Sequence, residues 1–168
     1  MIKRSDKKTF YGVPSEGGIT FTRMRNFTDL STSKNPKEYT RQYVDKNSER
    51  TDVVGYSPSM SYTFDDCKDD AVLEDIVKIT NGEKLGLDAQ REIVQVDFAR
   101  PVEGGGYHAV KRTISVIADS EGGSTDAYTY SGTFKTVDST VEGIATIATP
   151  ENGNSETVET ITFEESAE

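Results

Sequence analysis

The chain has 168 residues, 33% of them hydrophobic, with no Trp, one Cys, one His and a formal net charge of -10. A lone cysteine excludes an intrachain disulfide and a cysteine-built zinc cluster, and a lone histidine excludes a histidine metal cluster. The length suits one domain over 1–168 with enough residues for a core, and the low apolar content leaves room for stability gained from assembly.

Charge is distributed unevenly. Residues 1–50 carry +5 and residues 51–168 carry -15, and from Ser139 onward there are seven Glu and no basic residue. An acidic body repels phosphates and argues against nucleic-acid binding. The opposed halves suggest head-to-tail association that weakens with salt. The N-terminal MIKRSDKKTF lacks a following apolar core and no run reaches membrane-spanning length, so synthesis in the cytoplasm and no membrane association are expected.

Taken in order, residues 1–17 read as an N-terminal arm with a short strand at Thr9-Phe10-Tyr11, punctuated by Gly12, Pro14 and Gly17. Deleting residues 2–16 is then expected to leave a folded protein. Ile19–Met24 is a strand, Asn26–Pro36 a long polar loop, and Lys37–Val44 a strand, together a long hairpin. Asp45–Arg50 is a polar turn and Thr51–Gly55 a bridge. A strand then runs from Tyr56 to Phe64, with Tyr56, Pro58, Met60, Tyr62 and Phe64 on one face and Ser or Thr on the other.

A single helix follows. Asp65, Asp66, Asp69 and Asp70 precede it, Val72, Leu73, Ile76 and Val77 form its apolar stripe with Ile79 at the edge, and Asn81-Gly82 ends it with a left-handed glycine. The rest is strand and turn: Arg91–Phe98, the turn Arg100–Gly106, Tyr107–Ala118 pairing with Arg91–Phe98, and the turn Asp119–Asp126. Ala127–Val137, with Tyr128, Tyr130 and Phe134 on one face, and Val141–Thr149 follow. Thr157–Phe163 is a last strand or an extended arm within an acidic C-terminal arm, 150–168. The fold class is mainly β: two packed antiparallel sheets, a sandwich or open barrel, flanked by one α-helix.

No catalytic constellation emerges. His108 sits mid-strand, and the Gly104-Gly105-Gly106 run lacks phosphate-loop spacing and reads as a hairpin tip. The run DDCKDDAVLED lacks the glycine and terminal glutamate of a calcium loop and reads as helix capping. DSEGGSTD is a solvated turn, the acidic neighbours of Cys67 oppose thiolate formation, and Asn26-Phe27-Thr28 is a glycosylation pattern without a secretion signal. No cofactor is implied, and the chain reads as a non-enzymatic building block whose strand edges pair with other copies.

The segment YVDKNSERTDVVGYSPSMSYTF, residues 43–64, resembles the central part of major tail tube proteins of long-tailed bacteriophages of Gram-positive hosts. The resemblance implies hexameric rings whose inner sheets join into one β-barrel, stacked around a tape-measure protein into a tube for genome passage. It implies tail terminator and distal tail proteins as further partners, DNA sliding through without specific binding, and a place in the virion tail. It also implies subunit contacts by Asn26, Phe27, Asp29, Leu30 and Lys34 in the first loop. Around the second loop the contacts are Tyr43, Asp45, Lys46, Glu49, Arg50, Asp52, Val53, Val54 and Tyr56. Two alternatives stay open: the tube protein of a contractile phage-like injection or secretion machine, and a soluble β-sandwich binding module.

Overall fold

The computed structural model describes residues 1–123, 125–149 and 159–166. Its strands are β1 (Lys7–Ser15), β2 (Gly18–Arg23), β3 (Phe27–Ser33), β4 (Pro36–Arg41), β5 (Arg50–Tyr56) and β6 (Ser59–Asp65). After helix α1 (Ala71–Asn81) come β7 (Gln90–Pro101), β8 (Tyr107–Gly122), β9 (Thr129–Thr136), β10 (Val141–Thr149) and β11 (Thr160–Glu165). The mainly β expectation with one flanking helix holds among the described residues. The two layers are parts of one antiparallel sheet that curls and closes on itself.

The closure runs through β8. Strand order is β10-β11-β2-β1-β7-β8-β9-β6-β3, and β10 also pairs with β8. Along one edge, β8 meets β10 from Tyr107 to Lys111 and then β9 from Ile114 onward. Six strands thus form a barrel, and β9, β6 and β3 extend the sheet away from it. Closure satisfies backbone groups that an open edge would leave unpaired.

Alternation assigns each side chain to one of two cores. Inside the barrel lie Phe10, Val94, Val96, Ala109, Ala145 and Ile161. Their neighbours Tyr11 and Ile93 point the other way and join Tyr62, Phe64, Ile114, Val116, Tyr130 and Phe134 beneath α1. Strands β1 and β7 are therefore buried on both faces. Tyr62 stacks on Phe134 with ring centroids 4.4 Å apart, and Phe64 stacks on Tyr130 at 5.4 Å. At Gly143 an added Cβ would collide with the Glu164 carbonyl and the Phe163 ring, so only glycine lets β10 sit this close to β11.

The helix forms where the aspartates end. The Asp70 carboxylate accepts from the Val72 and Leu73 amides at 3.1 and 3.4 Å, satisfying two orphan donors of the first turn. Val72, Leu73, Ile76 and Ile79 are buried, each contributing about 1.5–3 kcal/mol. Ile79, rather than Val77, completes the stripe; Val77 is only half-buried. The helix is tied down by Asp75, which accepts from the Tyr11 hydroxyl at 2.6 Å and from Arg91 Nε at 2.8 Å.

Several expectations are corrected. Residues from Lys7 onward are not an arm: β1 lies between β2 and β7 in the barrel wall, with Thr9, Phe10 and Tyr11 buried. The polar loop Asn26–Pro36 is largely strand β3, which pairs with β6; an edge strand tolerates a polar sequence because one side stays wet. The long hairpin from Ile19 to Val44 does not form, because β2 pairs with β1 and β11, and β4 pairs with β5. The bridge Thr51–Gly55 is part of β5, and the strand read from Tyr56 to Phe64 breaks at Ser57-Pro58, where proline cannot donate to a ladder. Gly82 keeps a right-handed φ of -81°, and the left-handed residue after the helix is Glu83 at 47°. β8 also runs on to Gly122, beyond Ala118, into the segment read as a turn. Of the acidic C-terminal arm, Thr160–Glu165 is strand β11 between β10 and β2, and residues 150–158 and 167–168 lie outside the described residues.

Candidate assembly surface

The sequence of residues 36–56 places polar and β-prone residues in alternation around a polar tip, which makes a hairpin with no core beneath it. β4 and β5 pair only with each other among the described residues. Two strands alone are marginal in water, and this pair is held by side-chain contacts across its surface. Arg41 is the hub: it donates from Nε to the Tyr43 hydroxyl at 2.7 Å and from Nη2 to Asp52 at 2.8 Å. Its guanidinium also lies 5.2 Å from the Tyr39 ring centroid and 5.6 Å from that of Tyr43. Arg50 donates to the same Asp52 carboxylate, and the Thr40 and Thr51 hydroxyls meet at 3.0 Å.

This hairpin carries much of the chain's exposed large apolar surface. Val44 is fully exposed, Val54 and Tyr56 are 64% and 62% exposed, and Tyr39 and Val53 are also exposed. Apolar side chains gathered on a projecting hairpin mark a contact surface more than they mark a solvated turn. The structure brings the expected contact residues Tyr43, Asp45, Lys46, Glu49, Arg50, Asp52, Val53, Val54 and Tyr56 together here, on β5 and the tip between Arg41 and Arg50.

The other expected contacts sit on or beside β3, the outer strand of the extension. Its far edge is unpaired among the described residues. Asn26, at φ 64°, donates to Asp70 at 3.0 Å, and Phe27 packs edge-on against Phe64 at 5.4 Å. Asp29 accepts from the Ser61 hydroxyl, Leu30 lies half-buried against the core, and Lys34 occupies the turn into β4. Phe27 and Leu30 thus face inward, while Asn26, Asp29 and Lys34 are exposed.

Sequence reading missed two features. Leu85 and Leu87 stand exposed on the short 3-10 turn before β7, with nothing periodic around them to draw notice. Arg112 reads as one polar position in an alternating strand, yet it is buried. Among the described residues there is no group of three or more His, Cys, Asp or Glu placed to hold a metal, and no helix long and apolar enough to cross a membrane. His108 is exposed on β8 and lines a cavity with Arg112.

A closed antiparallel barrel, a sheet extension with an open edge and a projecting hairpin without its own core define a protein whose conspicuous surfaces are edges and contacts. No family model and no curated relative matches the chain in sequence. In fold it is similar to the SPP1 tail tube solved by solid-state NMR and cryo EM, with TM-score 0.64, 14% identity, and 84% of this chain and 78% of that one covered. It is similar to a chain from the tail of an empty gene transfer agent particle refined with C6 symmetry, with TM-score 0.58, 13% identity and coverage of 83% and 97%. A chain of the native gene transfer agent virion matches at TM-score 0.57 and 12% identity, with the same coverage. The chain therefore has the tail tube fold.

Proposed function

We propose that this chain is the structural subunit of a phage-type tail tube, a non-enzymatic protein of the virion tail. The observation that carries the reading is the β4–β5 hairpin, solvent-exposed in the single chain and rich in apolar and paired polar side chains, on a tail tube fold. Such a hairpin gains most of its stability only against a neighbour. Six copies form a ring, the rings stack about a tape-measure protein, and tail terminator and distal tail proteins close the ends. The tube is made in the host bacterial cytoplasm.

The acidic bulk suits the passage of DNA, since a wall carrying net negative charge does not retain phosphates. A ring with closed symmetry fixes the copy number, while stacking stays open along the axis and lets the tube grow. The contacts of Asn26, Phe27, Asp29, Leu30 and Lys34 belong to this proposal, as do those of the hairpin residues.

The test is electron microscopy of the purified chain over rising concentration, with and without tail initiator particles. Hollow tubes with six-fold end views are expected. A chain that remains monomeric under every condition, initiator included, overturns the reading.

A further inference from the structure

At the point where β8 exchanges β10 for β9, the barrel wall and the sheet extension diverge. Val141 is opposite Lys111, Thr136 is opposite Ile114, and Arg112 lies at the fork between them. A cavity of about 600 Å³ opens there. Arg4, Lys7, Lys8, Lys34 and Arg112 line it, against the carboxylates of Asp97 and Glu142. Asp97 is already engaged by Lys7 and Arg100, and Lys8 pairs with Glu159 at 2.9 Å.

Arg112 is the anomaly. It is only 8% exposed, its Nε is buried without a hydrogen-bond partner, and its side chain makes no ion pair among the described residues. Guanidinium does not shed its proton in proteins, and a buried charge without a partner is destabilising. Burial disfavours its charge, and Lys34 is held below its usual range by burial and by Arg112 and Lys7. A buried polar group left without a partner calls for an explanation, and a counter-charge that reaches it from outside is one.

The same strand carries the complementary charge at its other end. Asp119 and Glu121 are exposed near the end of β8, and Asp66 is exposed beside them, its amide bonded to the Tyr128 carbonyl. Glu121 and Asp66 both act on the Tyr128 and Tyr130 hydroxyls, which places the two carboxylates in one cluster. A cationic cavity and an acidic tip on one long strand are a donor and an acceptor that cannot meet within one molecule. Between molecules they make a heterologous contact, the kind that generates rings or stacks.

We infer that the Arg112 cavity is a docking site for carboxylates of a second copy of this chain, supplied by the acidic β8–β9 end around Asp66, Asp119 and Glu121. The inference deepens the tube reading by naming one contact between subunits.

Sedimentation velocity at fixed ionic strength tests it, using Arg112→Met, Lys34→Glu and the pair Asp119→Lys with Glu121→Lys. Arg112→Met removes a buried charge, so the single chain should melt at a higher temperature while its self-association weakens by about tenfold or more. Lys34→Glu and the acidic-end variant, both at exposed positions, should each associate poorly alone. Mixed together they should recover, because each then finds a complementary partner. Native-like association of Arg112→Met, a mixture that does not recover, or a chain monomeric throughout each overturns the docking site. Tubes that persist in all variants leave the tube reading standing without it. Association that depends on Arg112 yet never yields tubes leaves the site standing and removes the tube.

Discussion

At the residue scale, a few side chains hold the layers together. Asp70 caps α1 and accepts from Asn26 at 3.0 Å, so one carboxylate joins the helix start to the entry of β3. Asp70→Ala should lower stability by about 1–2 kcal/mol, since the helix cap is lost together with the tie to Asn26; urea unfolding would measure it. Gly143→Val should cost about 1–3 kcal/mol by forcing β10 from β11, again read by urea unfolding. Burial pushes the Tyr62 hydroxyl up to about 12, and burial with Asp75 raises Tyr11 further. Both groups stay neutral to higher pH in the folded chain than in the unfolded one, where tyrosines ionise near 10. Above that value the unfolded state binds fewer protons, so stability is intact below about pH 10 and falls above it. Each tyrosine contributes up to about 1.4 kcal/mol per pH unit. Melting temperatures from pH 9 to 12 should drop more gently in Tyr62→Phe; an unchanged slope would mean that Tyr62 ionises as freely when folded.

At the element scale, β1 decides what can be removed. The chain should tolerate loss of residues 1–6, which form only a short 3-10 turn and its lead-in, apart from Arg4 bonding to the Leu30 carbonyl at 3.0 Å. Deleting residues 2–16 should leave an unfolded chain by circular dichroism, contrary to the expectation from sequence, because β1 supplies Phe10 to one core and Tyr11 to the other. The reason β1 was hard to read is physical. A strand buried on both faces does not alternate, and Gly12 and Pro14 mimic a loop. Strands with a visible period of two were legible: Met60, Tyr62 and Phe64 of β6 stand out by alternation, and so do Val94, Val96 and Phe98 of β7, although Ile93 buries its other face as well. So was α1, through its 3.6-residue stripe and its aspartate cap. The hairpin was half-legible, since its polar tip stood out while Thr51–Gly55 gave no sign of pairing with β4. Replacing residues 37–55 by a short turn should preserve the melting transition and abolish tubes in the microscope, because the hairpin pairs with no other strand among the described residues.

At the scale of the whole molecule, two electrostatic effects oppose each other. A net charge of -10 makes every copy repel the next, and that repulsion is long-ranged, reaching about 30 Å at 0.01 M salt. The contact between a cationic cavity and an acidic tip is short-ranged and partly desolvated, so it survives moderate salt and fades only when the Debye length approaches about 3 Å near 1 M. Salt should therefore first strengthen and then weaken self-association, with a maximum between these limits, instead of weakening it throughout as the opposed halves of the sequence alone suggest. Arg112→Met should keep the rising limb, which comes from screening net charge, and lose much of the falling limb, which comes from the specific pairs. Light scattering across a sodium chloride series separates the two. A response that only rises, identical in native and variant chains, would show that copies meet through apolar hairpin contacts alone and that the charge on the cavity has no part in joining them.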